Sequence, residues 1–267
     1  MAAKKTIAKS AEAEARIASR RNMRLVGRPA PDDGLNVAHV PEGPELVGTV
    51  TEIPQRSGRA EPIRRHILDA AEQLFAKWGY TGVSVRDVTD LAERRLADVT
   101  YYFGSKQNLY FEVLRRRAAP LGEARLAELG KYDDQKLEGQ AYIEAWVNAY
   151  LDPPLRLLET QDPGWSHYLR LIGHVAYSRL WPDHWGSFYN EPAEKFMASL
   201  HTKFPAASDA NIQQAFLMLT ASTMYTLART GRVETFVKPA FSSDDIGLLA
   251  QLTRDFIVAG VAKLVMG

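Results

Sequence analysis

From residue 60 to residue 117 the apolar residues recur at helical spacing in four runs of unequal length. No stretch between them alternates with the period of two that a half-buried strand needs. Pro62 suits the first turn of a helix, where its missing N–H costs nothing. Ile63, Ile67, Ala70, Ala71, Leu74, Phe75 and Trp78 then share one face, and Gly79 supplies the stop. Ser84 and Asp87 form a capping-box start, and Val85, Val88, Leu91 and Ala92 give the short helix that follows one apolar face. Glu93-Arg94-Arg95 interrupts the pattern. A second short segment runs from Leu96 to Phe103 and closes at Gly104. Ser105 starts a fourth helix with Leu109, Val113 and Leu114 inward. Its end is predicted at Arg115-Arg116-Arg117, a basic triplet that suits a solvated helix C-terminus. Long helix, short helix, tight turn, short helix, long helix is the helix-turn-helix layout, with the motif itself over 84–103.

The rest of the chain keeps helical periodicity, so the expected fold class is all-α. Helices are predicted near 121–130, 138–159, 164–180, 190–203, 208–230 and 243–264. They are separated by Pro153-Pro154, Asp162-Pro163-Gly164, Trp181-Pro182, Phe204-Pro205 and Gly231. The first 58 residues differ. Residues 1–28 carry eight Lys or Arg against two Glu, and 29–57 reverse to five Asp or Glu against one Arg, with Pro29, Pro31, Pro41, Pro44 and Pro54. The expected organisation is a disordered basic then Pro-rich arm over 1–58, a helix-turn-helix domain over 59–121 and a helical domain over 122–267. The alanine–glutamate run from Ala11 is expected to be transiently helical at most. The net charge of +1 hides a basic front and an acidic back, so a polyanion would be met by the N-terminal third.

The run from Ile67 to Phe75 followed by Gly79-Tyr80 resembles the first helix of the tetracycline-repressor (TetR) family. Ser84 to Val88 resembles the second, and Tyr101-Tyr102-Phe103-Gly104-Ser105-Lys106-Gln107-Asn108-Leu109 resembles the junction of recognition helix and fourth helix. The blocks stand in the family's order without gaps over about 61–121. Leu227 to Glu234 also looks like the close of the penultimate helix in some members. Two departures stand out. The family usually carries Ala-Gly-Val-Ser through the turn where this chain has Ala92-Glu93-Arg94-Arg95, and Thr100 stands where the first of two tyrosines often sits. The resemblance implies a dimeric DNA-binding transcriptional regulator, a repressor released from a palindromic operator when a small-molecule effector binds.

A recognition helix enters the major groove while flanking groups hold phosphates. Leu96, Ala97, Asp98 and Thr100, with Tyr101 beside them, are the candidates for base edges. Ala97 and Thr100 can meet a thymine methyl, and Asp98 can accept from cytosine N4. Arg94, Arg95, Tyr102 and Lys106 are candidate phosphate contacts, and Ser84 can bind one at a helix N-terminus. The basic arm either follows the DNA grooves or serves as a solubilising tail.

In the C-terminal part, Trp146, Trp165, Trp181 and Trp185 fall close together, with Tyr150, Tyr168, Tyr177, Phe188 and Tyr189 among them. Arg170, His174, Tyr177 and Trp181 share one face of their helix, opposite Leu169 and Ile172. The expected effector-binding set is Trp146, Tyr150, Trp165, Arg170, His174, Tyr177 and Trp181, suited to an aromatic or acyl ligand with a carboxylate; a wet surface or a packed aromatic core reads the same residues without a ligand. The homodimer is expected through the last two helices, by Ile246, Leu249, Leu252, Phe256 and Gly260 on one and Ile212, Phe216, Leu219 and Thr223 on the other, unless these pack within one chain.

Other classes find little support. The chain has no cysteine, which excludes disulfides and thiolate chemistry and fits a reducing, cytoplasmic setting. No run is apolar enough for a membrane helix, and the basic N-terminus lacks the apolar stretch of a secretory signal. No P-loop, dinucleotide fingerprint, His-Glu-x-x-His or Gly-x-Ser-x-Gly occurs, and the six histidines lack metal-ligand spacing. No enzyme activity, cofactor or metal is expected. A DNA-binding structural or adaptor protein without a ligand is the alternative.

Overall fold

The computed structural model describes residues 11–19, 60–133, 135–176, 182–236 and 238–267. The Pro-rich part of the arm lies outside the described residues, as do Tyr177 and Trp181. Among the described residues no strand occurs. The chain divides into two units, one of residues up to Ala70 plus Ser84–Lys106, the other of Ala71–Val83 plus Gln107–Gly267.

The first unit contains α1 over 11–19, the first half of α2 (Ala60–Trp78), α3 (Val85–Ala92) and α4 (Leu96–Phe103). The alanine–glutamate run is thus a helix in full, supported by a Glu12–Arg16 pair one turn apart at 3.7 Å, and Ile17 is buried. The unit's buried apolar residues are Ile67 and Leu68 from α2, Val88 from α3, and Val99 and Phe103 from α4. Ile67 and Val88 sit at positions the helical periodicity assigns to the core, whereas Leu68 lies beside that stripe and is buried all the same. The Arg64 guanidinium covers the Phe103 ring at 5.5 Å.

The second unit contains the end of α2, α5 (Lys106–Asp133), α6 (Gly139–Leu158), α7 (Gly164–Ala176), α8 (Pro182–Lys203), α9 (Asp209–Leu227) and α10 (Ile246–Met266). α10 packs on α9 and α6, and α7 and α8 pack on α9. Their core is built from Trp146, Ile143, Val147, Phe196, Leu200, Leu219, Ile257 and Val261 with their neighbours. Gly79 ends α2 at φ 65°, donating its N–H to the Phe75 carbonyl at 2.8 Å, as the sequence predicts. Glu234 ties the chain between α9 and α10. It accepts from the Ser242 hydroxyl and from the hydroxyl and amide of Ser243, and those donors, Ser243 first, pull its carboxyl down to about 2.

Two expectations are corrected here. The helix expected to stop at Arg117 continues through Pro120 to Asp133. An internal proline costs about 3 kcal/mol or more. Packing offsets that cost, since Leu114, Ala118 and Leu121 are all buried around it. The arginine triplet is therefore mid-helix, and two of its members are not solvated. Glu72 on α2 is 1% exposed and takes Arg116 at 2.6 Å and Arg117 at 3.0 and 3.1 Å. Arg117 also pairs with Asp162 and lies over the Trp165 ring at 4.8 Å. Asp162 in turn accepts the Gly164 N–H at 2.9 Å. Gly164 has to be glycine, because a Cβ there would fall on the Arg117 guanidinium and the Glu72 carboxylate. Burial pushes the Glu72 carboxyl up despite its two arginines, whereas the Arg117 hydrogen bond holds Asp162 below the usual carboxylate range.

The second correction concerns α9. Ile212, Leu219 and Thr223 are buried in the unit's own core and Phe216 packs against it, so this stripe does not face outward. The exposed face of α9 carries Leu217, Met218, Ala221 and Tyr225 instead. On α10, Leu252, Phe256 and Gly260 are exposed as expected, joined by Leu248, while Ile246 and Leu249 are half-buried.

Removing one member of a buried ion network leaves its partner's charge uncompensated, which costs about 3–5 kcal/mol. Glu72→Ala is therefore expected to lower unfolding stability in urea by about 3 kcal/mol, with Arg117→Met close behind. A loss below about 1 kcal/mol for both would contradict the burial and pairing described.

Candidate functional sites

The helix-turn-helix is held by its own caps. Ser84 adopts extended backbone before α3, and its hydroxyl accepts from the Asp87 N–H at 3.2 Å while donating to the Asp87 carboxylate at 2.7 Å. The Ser84 N–H also donates to that carboxylate at 2.8 Å. The hydroxyl suggested for a phosphate is thus engaged inside the capping box. At the other end of α3 the missing turn glycine has a direct consequence. Glu93 itself takes the left-handed conformation, φ 51° and ψ 46°. Arg95 stands in the N-cap position of α4 and cannot accept with its side chain, so only the reciprocal half of the box forms. The Asp98 carboxylate accepts the Arg95 N–H at 3.1 Å. Asp98, read from the sequence as a base contact, is half-buried and serves as a cap. Arg94 turns toward α2, its terminal nitrogen 3.4 Å from His66 Nδ1.

α4 has two distinct faces. Val99 and Phe103 are buried. Leu96, Ala97, Thr100 and Tyr101 are brought together on the exposed face, with Tyr101 63% exposed and its ring packed edge-on to Tyr102. The Thr100 hydroxyl donates to the Leu96 carbonyl at 3.3 Å, and the residue is exposed. Arg95 is exposed at the start of this helix, and Lys106 is half-buried at the start of α5. Burial lowers the Lys106 ammonium's pKa, and the Asp87 charge opposes that shift.

In the second unit a cavity of about 230 Å³ lies among α5, α6, α7, α8 and α9. Tyr150, Phe188, Tyr189 and Phe216 form aromatic walls, and Leu169 and Ile172 of α7 form an aliphatic one. Arg125 enters from α5. It is 9% exposed, donates its Nε–H to the Tyr150 carbonyl at 3.0 Å and lies 3.5 Å over the Tyr150 ring centre. Thr220 donates to the Tyr150 hydroxyl at 3.3 Å. The Tyr189 and Tyr168 hydroxyls pair at 3.0 Å, and burial pushes Tyr189 up to about 12, so both phenols stay neutral near pH 7. The Thr223 hydroxyl is buried with no hydrogen-bond partner among the described residues.

Residues 67–113 match the family described as bacterial regulatory proteins, tetR family, and residues 148–260 match the tetracyclin repressor-like C-terminal domain. The chain belongs to the TetR family. Among curated relatives, the repressor NicS of Pseudomonas putida is 36% identical over 69 residues, covering 26% of this chain and 32% of NicS. The regulator RutR of Escherichia coli K12 is 33% identical over 100 residues, covering 34% of this chain and 47% of RutR. The chain therefore spans from about a third to about half the length of these relatives. Among solved structures, Salmonella enterica GusR aligns with 80% of this chain and 100% of its own at 17% identity and a TM-score of 0.45.

Of the described effector residues read from the sequence, this TetR-family chain brings only Tyr150 to the cavity. Trp146 is core, its indole N–H donating to the Phe196 carbonyl at 3.0 Å. Trp165 underlies Arg117. Arg170 is exposed, and His174 Nε2 lies 3.2 Å from the Ala76 carbonyl. Tyr177 and Trp181 are outside the described residues. It is the other face of α7, Leu169 and Ile172, that lines the cavity, because an amphipathic helix turns its apolar side to an enclosed space. Arg125 was missed although a signal existed. It sits one turn after Leu121 and one turn before Leu129, both buried, so an arginine occupies the apolar seam of its helix.

A non-glycine residue in the left-handed region carries strain of about 1–2 kcal/mol. Glu93→Gly relieves it at some cost in unfolded-chain entropy. The variant is expected to gain about 0.5–1 kcal/mol in urea unfolding, and a measured loss would show that the interactions of the Glu93 side chain outweigh the strain.

Proposed function

We propose that this chain is a cytoplasmic, dimeric regulator of transcription that reads DNA with α4 and is released from its operator when a small molecule occupies the second unit. The observation that carries the DNA reading is the exposed set Leu96, Ala97, Thr100 and Tyr101 on a short helix whose opposite face is fixed by Val99 and Phe103. Such a helix presents side chains to a major groove without losing its own anchorage. Arg95, Tyr102 and Lys106 flank it as phosphate contacts, with Ser84 and Arg94 in supporting positions. The printed names of the relatives, repressors among them, favour repression.

The dimer is proposed through α9 and α10. Leu248, Leu252 and Phe256 form an exposed apolar stripe on α10, with Phe256 71% exposed, and Leu217, Met218 and Tyr225 form one on α9. Contiguous exposed apolar side chains of this size mark an interaction surface. A two-fold dimer built there would need a roughly palindromic operator. A ligand-free architectural role is the alternative reading, and the walled cavity beside Arg125 favours sensing over it.

Fluorescence anisotropy with the DNA upstream of the protein's own gene tests the reading. Wild type is expected to bind with a steep inverse dependence on salt. A Thr100→Ala, Tyr101→Ala variant should lose about 1–3 kcal/mol per base contact, roughly 5- to 150-fold each, with its fold intact. Equal binding by both proteins would remove α4 from the interface. Separately, Phe256→Glu is expected to yield monomers in sedimentation velocity. A variant that remains dimeric would place the interface elsewhere.

A further inference from the structure

Arg125 is a cation in the wrong place for a solvated one. It stands on the apolar seam of α5, is 9% exposed, and lines the cavity. Among the described residues its one hydrogen bond uses Nε, on the Tyr150 carbonyl, and the ring of Tyr150 covers one face. The two terminal nitrogens hold four more N–H donors in a planar fork. Among the described residues no carboxylate lies within ion-pair distance of it, and none lines the cavity. The nearby phenols stay neutral, so they supply no counter-charge. An arginine elsewhere in the same unit shows what burial ordinarily demands: Arg117, equally buried, has two carboxylates. A buried guanidinium without an anion is a standing cost that a bound anion removes.

A second observation points into the same space. The Thr223 hydroxyl, 1% exposed and lining the cavity from α9, has no hydrogen-bond partner among the described residues. The remaining walls are aromatic and aliphatic. We propose that this cavity is the effector site of the regulator and that its ligand is a small monocarboxylate with a compact apolar body. The carboxylate takes the free edge of Arg125 in a forked pair, Thr223 hydrogen-bonds a polar atom of the ligand, and the apolar body stacks among Phe188, Phe216, Leu169 and Ile172. Size follows from volume. A dry cavity of about 150 Å³ holds benzene, so one of about 230 Å³ accommodates on the order of ten non-hydrogen atoms, a short aryl-alkyl or medium-chain acid. The effector role rests on the regulator reading above, whereas the acid-binding site rests on the cavity alone.

Isothermal titration calorimetry of the full chain with octanoate and 4-phenylbutyrate, each against its neutral primary amide, tests the inference. The acids are expected to bind, and the amides at least about tenfold more weakly. Arg125→Met should abolish the preference for acid over amide. Because Arg125 also packs on Tyr150, two further variants keep the test valid if that one fails to fold. Arg125→Lys retains charge but loses the fork and should weaken acid binding about tenfold, and Thr223→Val should weaken it severalfold. No binding by either acid, equal binding of acid and amide, or undiminished acid binding by Arg125→Lys and Thr223→Val would each overturn the proposal. Operator anisotropy on the same samples separates the two readings. Acid binding through Arg125 in a protein that binds no DNA upholds the site and removes the regulator. Intact DNA binding with no acid binding does the reverse.

Discussion

The Arg117 guanidinium is enclosed by the Glu72 carboxylate, by Asp162 and by the Trp165 ring, and it joins three separate segments of the second unit. It binds the end of α2 to the middle of α5 and to the loop that begins α7. With that loop fixed, Gly164 must present bare backbone to the network. α7 then runs with His174 at the Ala76 carbonyl on one side and Leu169 and Ile172 at the cavity on the other. Such a network contributes modestly when intact and costs much when broken, because a desolvated charge depends on its partners. The contrast with Arg125 is instructive. Two arginines on one helix are equally buried, and among the described residues only Arg117 has carboxylate partners.

The helix-turn-helix separates structural work from reading work along very few residues. The caps take Ser84, Asp87 and Asp98, the turn takes Glu93, and the core takes Val88, Val99 and Phe103. What remains outward on α4 is a small set of apolar, methyl-bearing and phenolic side chains. This set is poor in bidentate donors, so discrimination would come from thymine methyls, shape and water more than from an arginine–guanine pair.

How much of this could be read in the sequence depends on what kind of signal each feature leaves. α2 and α3 were legible because periodicity, a capping box and a stop glycine coincide, and their boundaries at Trp78 and Val85 follow from those signals. α5 was not. Pro120 and three arginines look like a helix end until tertiary packing and the Glu72 pair are known. Periodicity also identifies a face without saying what covers it. The stripe of Ile212, Leu219 and Thr223 has the pattern expected of a partner-facing surface, yet it is buried within the chain. Polar residues on α7 drew attention as ligand groups, yet its aliphatic side faces the cavity. The cavity's polar anchor comes from Arg125, a residue whose anomaly lies in its spacing from Leu121 and Leu129.

The central claim is that α4, carried by a two-fold dimer, reads specific DNA. Selection of bound duplexes from a random-sequence pool by the full chain, followed by sequencing, tests it most directly. The account predicts enrichment of one roughly palindromic motif whose half-sites are spaced for successive major grooves. A pool that emerges unenriched after selection, or a motif without two-fold symmetry, would contradict it.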